Sequence, residues 1–231
     1  MSAPTQRGPL VTIDGPAGSG KSTTARAVAR RLGFRHLDSG ALYRALTFAL
    51  LDAGRDPREW PTLTESDLRR LEVGVTPTEA GFEIRVGARV VTDELRTEGV
   101  TAHVSGLARV RAVRATLLGL QRAAGTAGRL VADGRDMGTV VFPDADVKVF
   151  LRADLSVRAR RRLLEQGGAV DDPEAVAREA EAIALRDRHD SEREISPLRR
   201  PDDAVELDTS RLGFEEQVEA VVALVREHLG T

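Results

Sequence analysis

The sequence predicts an α/β protein built on one central parallel sheet of five strands, and three observations predict it. Five short apolar runs stand out, at Leu10–Asp14, Phe34–Asp38, Arg129–Asp133, Val147–Leu151 and Ala204–Asp208. Between them lie stretches with apolar residues at helical spacing, and a strand, helix, strand rhythm needs a crossover and therefore gives parallel pairing. The first run also passes directly into Gly15-Pro16-Ala17-Gly18-Ser19-Gly20, a glycine-rich connection from strand to helix. With 231 residues, 41% of them hydrophobic and 30% charged, the chain can bury one good core with a small appended subdomain, and it is not a disordered polymer.

Composition removes several function classes. There is no cysteine, so there is no disulfide framework, no thiolate metal site and no cysteine nucleophile. The formal net charge of −2 supplies no global attraction to nucleic acid or an anionic membrane, so any anion binding must come from local clusters. No apolar run is long enough to span a bilayer, and Met1–Pro9 lacks the apolar core of a signal peptide, which together point to the cytoplasm. Lysine occurs only at Lys21 and Lys148 among 34 basic residues. A chain that otherwise uses arginine and keeps lysine at position 21 wants a compact ammonium there.

Gly15 to Ser22 matches GxxxxGK[ST], the phosphate-binding loop, and it sits between a strand and a helix as that loop requires. Its backbone N–H groups can converge on an anion, the following helix adds the positive end of its dipole, and Lys21 reaches the terminal phosphates. The alternative, a chance glycine-rich turn, explains neither the context nor the lysine. The first helix should run from about Lys21 to Leu32, with Ala25, Val28, Ala29 and Leu32 as its stripe and Gly33 closing it. His36 falls inside the second strand and reads as a packing histidine.

Asp38-Ser39-Gly40-Ala41-Leu42-Tyr43-Arg44 opens the next helix. Ser39 near its start and Arg44 a turn later could gather round one phosphate, and a simple helix cap at Asp38 or Ser39 is equally compatible. From Asp56 to about Thr101 the rhythm breaks. Phe82, Ile84 and Val86 alternate with polar residues before Gly87, which predicts an antiparallel hairpin in an insert over 56–99, with Trp60 as a packing residue in its entry loop. A helical region from about Val100 to Ala124 carries Ser105, Arg109, Arg111, Arg114 and Arg122. Nine residues separate Ser105 from Arg114, so on one unbroken helix they would face opposite sides; a shared site requires a break between them.

Asp133 ends a buried strand, a position at which a P-loop enzyme holds its magnesium shell. Ser156 to Leu163 is an arginine-dense helix start in which Arg158, Arg161 and Arg162 share a face ahead of Gly167-Gly168, the pattern of a lid over 154–199 or of an exposed basic helix. A further helix begins at Asp172-Pro173 with Val176, Ala180 and Ile183 as its stripe, and carries Arg186, Asp190 and Arg193 at i, i+4 and i+7, either a functional face or a surface ion-pair row. The last helix, Phe214 to Leu229, buries Val218, Val221, Val222 and Val225. The core is assigned to 10–55, 100–153 and 200–231, preceded by a tail over 1–9.

With Gly15–Ser22, Asp38–Arg44, Asp133–Ala145 and Arg186–Arg193 present in this order, the chain resembles the bacterial cytidylate kinases from about Leu10 to about Leu229. The run Ala132 to Ala145 (ADGRDMGTVVFPDA) is the most specific piece. The resemblance implies a P-loop nucleoside-monophosphate-kinase fold and transfer of the γ-phosphoryl group of ATP to CMP or dCMP with magnesium. It implies acceptor-phosphate contacts at Ser39, Arg44, Arg135 and Arg193, cytosine contacts at Ser105, Arg114 and Asp136, and pentose contacts at Arg186 and Asp190. Tyr43 joins the acceptor site, and Lys21 with the lid residues Arg158 and Arg162 serves the transferred phosphate. Residues 15 to 23 are expected to hold ATP, and Asp133 with Ser22 the metal; many relatives have glycine where Ser22 stands, so its role follows the general P-loop rule and not the resemblance, and Thr23 could share it.

The chemistry of the base agrees, since cytosine offers an N4 amino donor to Asp136 and acceptors to Arg114, whereas uracil would face an ionised Asp136 with a carbonyl. The nearest rivals are kinases of the same fold acting on UMP, dTMP or a non-nucleotide. A GTPase-type switch is opposed by the lack of an [NT]KxD motif at either lysine. Nucleic-acid binding through Arg158–Arg162 lacks interleaved aromatics and a net basic charge. No long apolar surface stripe is left over, which points to a monomer.

Overall fold

The structure, a computed structural model, describes residues 7–230, so positions 1–6 of the expected tail lie outside the described residues. The chain opens with β1 (Leu10–Asp14), α1 (Lys21–Leu32), β2 (Arg35–Asp38) and α2 (Ser39–Asp52). After a 3₁₀ turn at Pro57–Thr62 come α3 (Glu65–Arg69), β3 (Val73–Pro77), β4 (Phe82–Val86) and β5 (Arg89–Val90). Another 3₁₀ turn, Asp93–Arg96, leads to α4 (Glu98–Leu107), α5 (Arg111–Gly125) and β6 (Leu130–Gly134). A π-turn at Met137–Val141 precedes β7 (Val147–Arg152), α6 (Leu155–Glu165), α7 (Pro173–Ser191), β8 (Val205–Asp208) and α8 (Phe214–Leu229).

The five core strands form one parallel sheet in the order β2-β6-β1-β7-β8. This is the expected P-loop nucleoside-monophosphate-kinase architecture. Every residue of β1 and β6 is buried, because helices cover both faces of a parallel sheet. Successive side chains alternate between those faces. Val11, Ile13, Val131 and Val149 pack with Ala25 and Val28 of α1 and Val218, Val221 and Val222 of α8. Leu10, Leu130 and Ala132 pack on the other side with Leu42 and Leu46 of α2 and Val113 and Leu117 of α5. Ile13 is in register with Asp133, Asp14 with Gly134, and Asp38 with Asp133, so three carboxylates line up at the carboxyl ends of adjacent strands. No helix among the described residues is long and apolar enough to cross a membrane.

Two details differ from the sequence reading. The insert is a three-stranded antiparallel sheet, β3-β4-β5, and not a lone hairpin. β3 holds Gly74 and ends at Pro77, both depleted in strands, so tertiary pairing with β4 overrides its local propensity. The helical region after Val100 is two helices. Residues 108–110 interrupt it, with Val110 in an extended conformation (φ −74°, ψ 121°) at the start of α5. That is the break a shared role for Ser105 and Arg114 requires.

Leu117 is fully buried and Leu164 is 65% exposed. Leu117→Ala should lower unfolding free energy by about 2–5 kcal/mol, while Leu164→Ala should change it by less than about 0.5 kcal/mol, as read by denaturant unfolding.

Candidate active site

The phosphate-binding loop leaves β1 at Gly15, where a Cβ would collide with the backbone carbonyl of Leu151 on the neighbouring strand. Glycine is therefore needed for the loop to pass that close to the sheet. Gly20 caps α1 in the left-handed region (φ 82°), which aims the first N–H groups of α1 into the loop. Lys21 is buried there, its Nζ donating to the carbonyl of Pro16 at 3.0 Å. Burial, and next the charge of Arg135, lowers its pKa from 10.5 to about 7. The Ser22 hydroxyl donates to Asp133 Oδ2 at 2.5 Å, whereas Thr23 turns back to the carbonyl of Gly20 at 2.9 Å. Pro16 closes the loop through its carbonyl, and the Ser19 hydroxyl is buried without a partner.

Across the carboxyl edge of the sheet, α2 begins with Asp38 as its cap, the carboxylate accepting from the Ala41 N–H at 3.0 Å. Ser39 follows, buried. One turn on, Arg44 donates to the Leu95 carbonyl (3.1 Å) and to Thr101 Oγ1 (3.0 Å), fastening α2 to the insert and α4. Arg135, at the end of β6, donates to Asp190 Oδ2 at 2.8 Å, and Arg193 lies 3.7 Å from the other oxygen of Asp190 and bonds the Ser196 carbonyl at 3.0 Å. Burial works against ionisation of Asp190, but Arg135 and Arg193 outweigh it and hold its carboxyl below the usual range. Among the described residues Arg186 has no hydrogen bond or ion pair, and its Nε is buried without a partner. Burial, with the like charges of Arg135, Arg44 and Arg162, lowers the pKa of Arg186 to about 10.

Asp136 and Arg114 form a buried ion pair, and Arg114 also donates to the Ala108 carbonyl at 3.1 Å and stands 5.4 Å from the centre of the Tyr43 ring. Burial pushes the Tyr43 hydroxyl up to about 12, so it stays protonated. Ser105 is half-buried on α4, and among the described residues no side-chain hydrogen bond joins it to Arg114 or Asp136. The two lid arginines differ. Arg158 is engaged, donating to Ala153 and Ala17 carbonyls (3.0 and 2.9 Å) and to Asp187. Among the described residues Arg162 makes only long contacts, to Glu179 (3.7 Å) and Glu165 (3.9 Å), and its charge is felt by Arg44 and Arg186.

Lys21, Ser22, Asp133, Arg135, Asp190 and Arg193 thus lie at or beside the carboxyl edge of the sheet, whereas Ser105 is not joined to them by a side-chain hydrogen bond among the described residues. The cytidylate kinase family profile matches residues 11–227, nearly all of the chain. The chain belongs to the cytidylate kinase family. It is 44% identical to a cytidylate kinase of Exiguobacterium sibiricum over 93% of this chain and 95% of that one. Identity to a cytidylate kinase of Geobacillus kaustophilus is also 44%, over 95% of this chain and 97% of that one. Bifunctional pantoate ligase/cytidylate kinases of Synechococcus match as well, one of them at 48% identity over 95% of this chain, which spans only 45% of that protein's length.

In this cytidylate kinase family member four further side chains shape the site without having stood out in the sequence. Asp14 is buried and accepts from the N–H groups of Met137 and Gly138 at 2.9 and 2.8 Å; burial pushes its carboxyl up to about 7 against those two donors. Asp187 accepts from the Ala17 N–H at 2.9 Å, bracing the phosphate-binding loop from α7. His36, read as a packing residue, meets Asp133 Oδ1 at 2.8 Å. Gln121 donates to Ser39 Oγ at 2.8 Å. Only Gln121 carried a readable signal: it stands on the apolar stripe Val113, Leu117, Gln121, Ala124 of α5, where a polar residue needs a buried partner.

The lowered pKa of Lys21 gives a pH prediction. Without ligand Lys21 loses its proton near pH 7, whereas a polyphosphate favours the ammonium and raises its pKa. Binding of inorganic tripolyphosphate at pH 8 should therefore draw up to about one proton onto Lys21, beyond any proton the ligand itself exchanges. Calorimetry in buffers of different ionisation enthalpy checks this, and Lys21→Met should abolish the uptake.

Proposed function

We infer that the chain transfers the γ-phosphoryl group of ATP to CMP or dCMP, giving CDP or dCDP. The observation that carries the reading is the assembly of Lys21, Arg44, Arg135, Arg186 and Arg193 between a phosphate-binding loop and the Arg114–Asp136 pair. Buried and half-buried cations crowded together call for anions, and a donor triphosphate facing an acceptor monophosphate supplies them. The Arg114–Asp136 pair offers donor and acceptor groups side by side, the complement of a cytosine edge.

The oxygens of Ser22 and Asp133 suit magnesium, a hard cation held by one or two protein oxygens and completed by phosphates and water. Among the described residues no cluster of three or more His, Asp or Glu side chains could hold a metal by itself, which fits an ion that arrives with its nucleotide. When bound, magnesium neutralises phosphate charge. Residues 15 to 23 bind the donor, and Lys21 stabilises the transferred group as charge shifts. Ser39, Arg44, Arg135 and Arg193 hold the acceptor phosphate in line, Arg186 and Asp190 hold the pentose, and Ser105 joins Arg114 and Asp136 at the base. Tyr43 lines the base pocket beside Arg114.

The lid over 154–199 closes with Arg162 toward the phosphates, while Arg158 keeps α6 fixed to the loop, and closure excludes water. No general base is required, because the acceptor phosphate is already an anion at neutral pH. We take the working form to be a cytoplasmic monomer; large exposed hydrophobics such as Leu164, Leu185 and Phe214 belong to different helices and are no continuous stripe along one of them.

ADP formation with ATP and magnesium fixed tests the reading, with CMP, dCMP, UMP, AMP, GMP and dTMP offered singly beside a control without acceptor. CMP and dCMP should dominate, and Asp136→Asn should lower the CMP/UMP ratio of kcat/KM by about tenfold or more. Equal ADP production without acceptor, or an unchanged ratio in the variant, would contradict it.

A further inference from the structure

Ser39 and Gln121 are 3% and 2% exposed, lie 82 residues apart in sequence, and meet through a single hydrogen bond of 2.8 Å in which Gln121 Nε2–H donates to Ser39 Oγ. A serine hydroxyl has one proton and two lone pairs. With one lone pair taken by the amide, the proton has to point away from α5. At the first position of α2 there is no preceding turn of that helix whose carbonyl could take it, and Ser39 Oγ has no other hydrogen-bond partner among the described residues. The unspent O–H belongs to a residue beside Asp38 and one turn from Arg44, at the carboxyl edge of the sheet.

We propose that Gln121 is a positioning residue: its amide fixes the polarity of the Ser39 hydroxyl, so that Ser39 donates its proton to an oxygen of the acceptor phosphate. The proposal rests on the acceptor-phosphate role of Ser39 stated above. It gives a reason for a polar side chain on the apolar stripe of α5. A donor amide at this point leaves the hydroxyl free to serve an anion, whereas an acceptor group there would capture the proton and turn a lone pair toward the phosphate. The order of effects among substitutions follows from that sense of donation.

The test is a double-mutant cycle with steady-state kinetics, varying CMP at saturating ATP and ATP at saturating CMP. Gln121→Met should raise the KM for CMP by about fivefold to tenfold and leave the KM for ATP within about twofold. On a Ser39→Ala background the same substitution should add nothing further, since the hydroxyl it orients is gone. Gln121→Glu, closest in shape, should be worse for CMP than Gln121→Met, because its carboxyl oxygens accept the Ser39 proton. A purely structural role predicts the reverse order, effects that multiply in the double variant, and equal changes for both substrates, and any of these overturns the proposal. So does a Gln121→Met enzyme with an unaltered KM for CMP, or a Ser39→Ala enzyme with one. A wild-type chain that fails to phosphorylate CMP at all would instead sink the reading on which the proposal rests. Should Gln121→Met not fold, the Gln121→Glu and Ser39→Ala pair completes the same cycle.

Discussion

Crowding of cations where burial and, after it, their mutual repulsion both work against their charge is the constraint on which the rest of this structure depends. A chain of net charge −2 concentrates Lys21, Arg44, Arg135, Arg186 and Arg193 at one edge of its sheet, where burial lowers the pKa of Lys21, Arg44, Arg186 and Arg193 and the charge of Arg135 lowers it further in the first three. Asp190 bonds or pairs with two of them, its charge also favours ionised Arg186, and Asp133 and Asp38 stand close by, but Arg186 makes no hydrogen bond or ion pair among the described residues. Such an arrangement costs stability in the free protein and is tolerated where a ligand relieves it. The scaffold has to hold the charges together against their own repulsion.

Parallel pairing does most of that holding. The register of β1 with β6 sets the start of the phosphate-binding loop beside Asp133 and Arg135, and β2 on the far side of β6 brings Asp38 and the start of α2 to the same edge. Asp14 ties the two functional strands where their ladder ends, because its carboxylate takes both N–H groups of the turn that follows Arg135 and Asp136. Burial alone would protonate such a group; the two donors are what make it worth keeping ionisable at the centre of the sheet. From the lid side, Asp187 and Arg158 grip the amide and carbonyl of Ala17. The loop that receives the donor and the turn that carries Arg135 are thus braced from three directions.

Most of this was legible in the sequence where one residue type can do one job. Gly15 to Ser22 placed the loop, the apolar runs placed the five strands within a residue or two, and a shared site for Ser105 and Arg114 would require a helix break between them, which the chain makes at 108–110. β3 was not legible, because Gly74 and Pro77 disguise a strand that exists only through pairing with β4. Nor were the braces. Asp14 and Asp187 look like an ordinary strand end and an ordinary helix charge, and His36 like filler; what they do depends on atoms more than 90 residues away in the chain. Arg158 and Arg162 read alike from spacing, yet one is locked to the loop and the other is nearly free.

The account stands or falls on the claim that the cation cluster is frustrated until phosphate arrives. Thermal unfolding of the wild type and of Arg186→Met, each with and without CMP, measures this directly. Among the described residues Arg186 has no hydrogen bond or ion pair to lose, and burial and its like-charged neighbours outweigh the charge of Asp190, so the ligand-free variant should melt at or above the wild-type temperature, while the rise in Tm that CMP gives the wild type should shrink in the variant. A ligand-free variant that melts several degrees lower, or one that CMP stabilises as fully as the wild type, would show that Arg186 is held by the protein and not kept for the nucleotide.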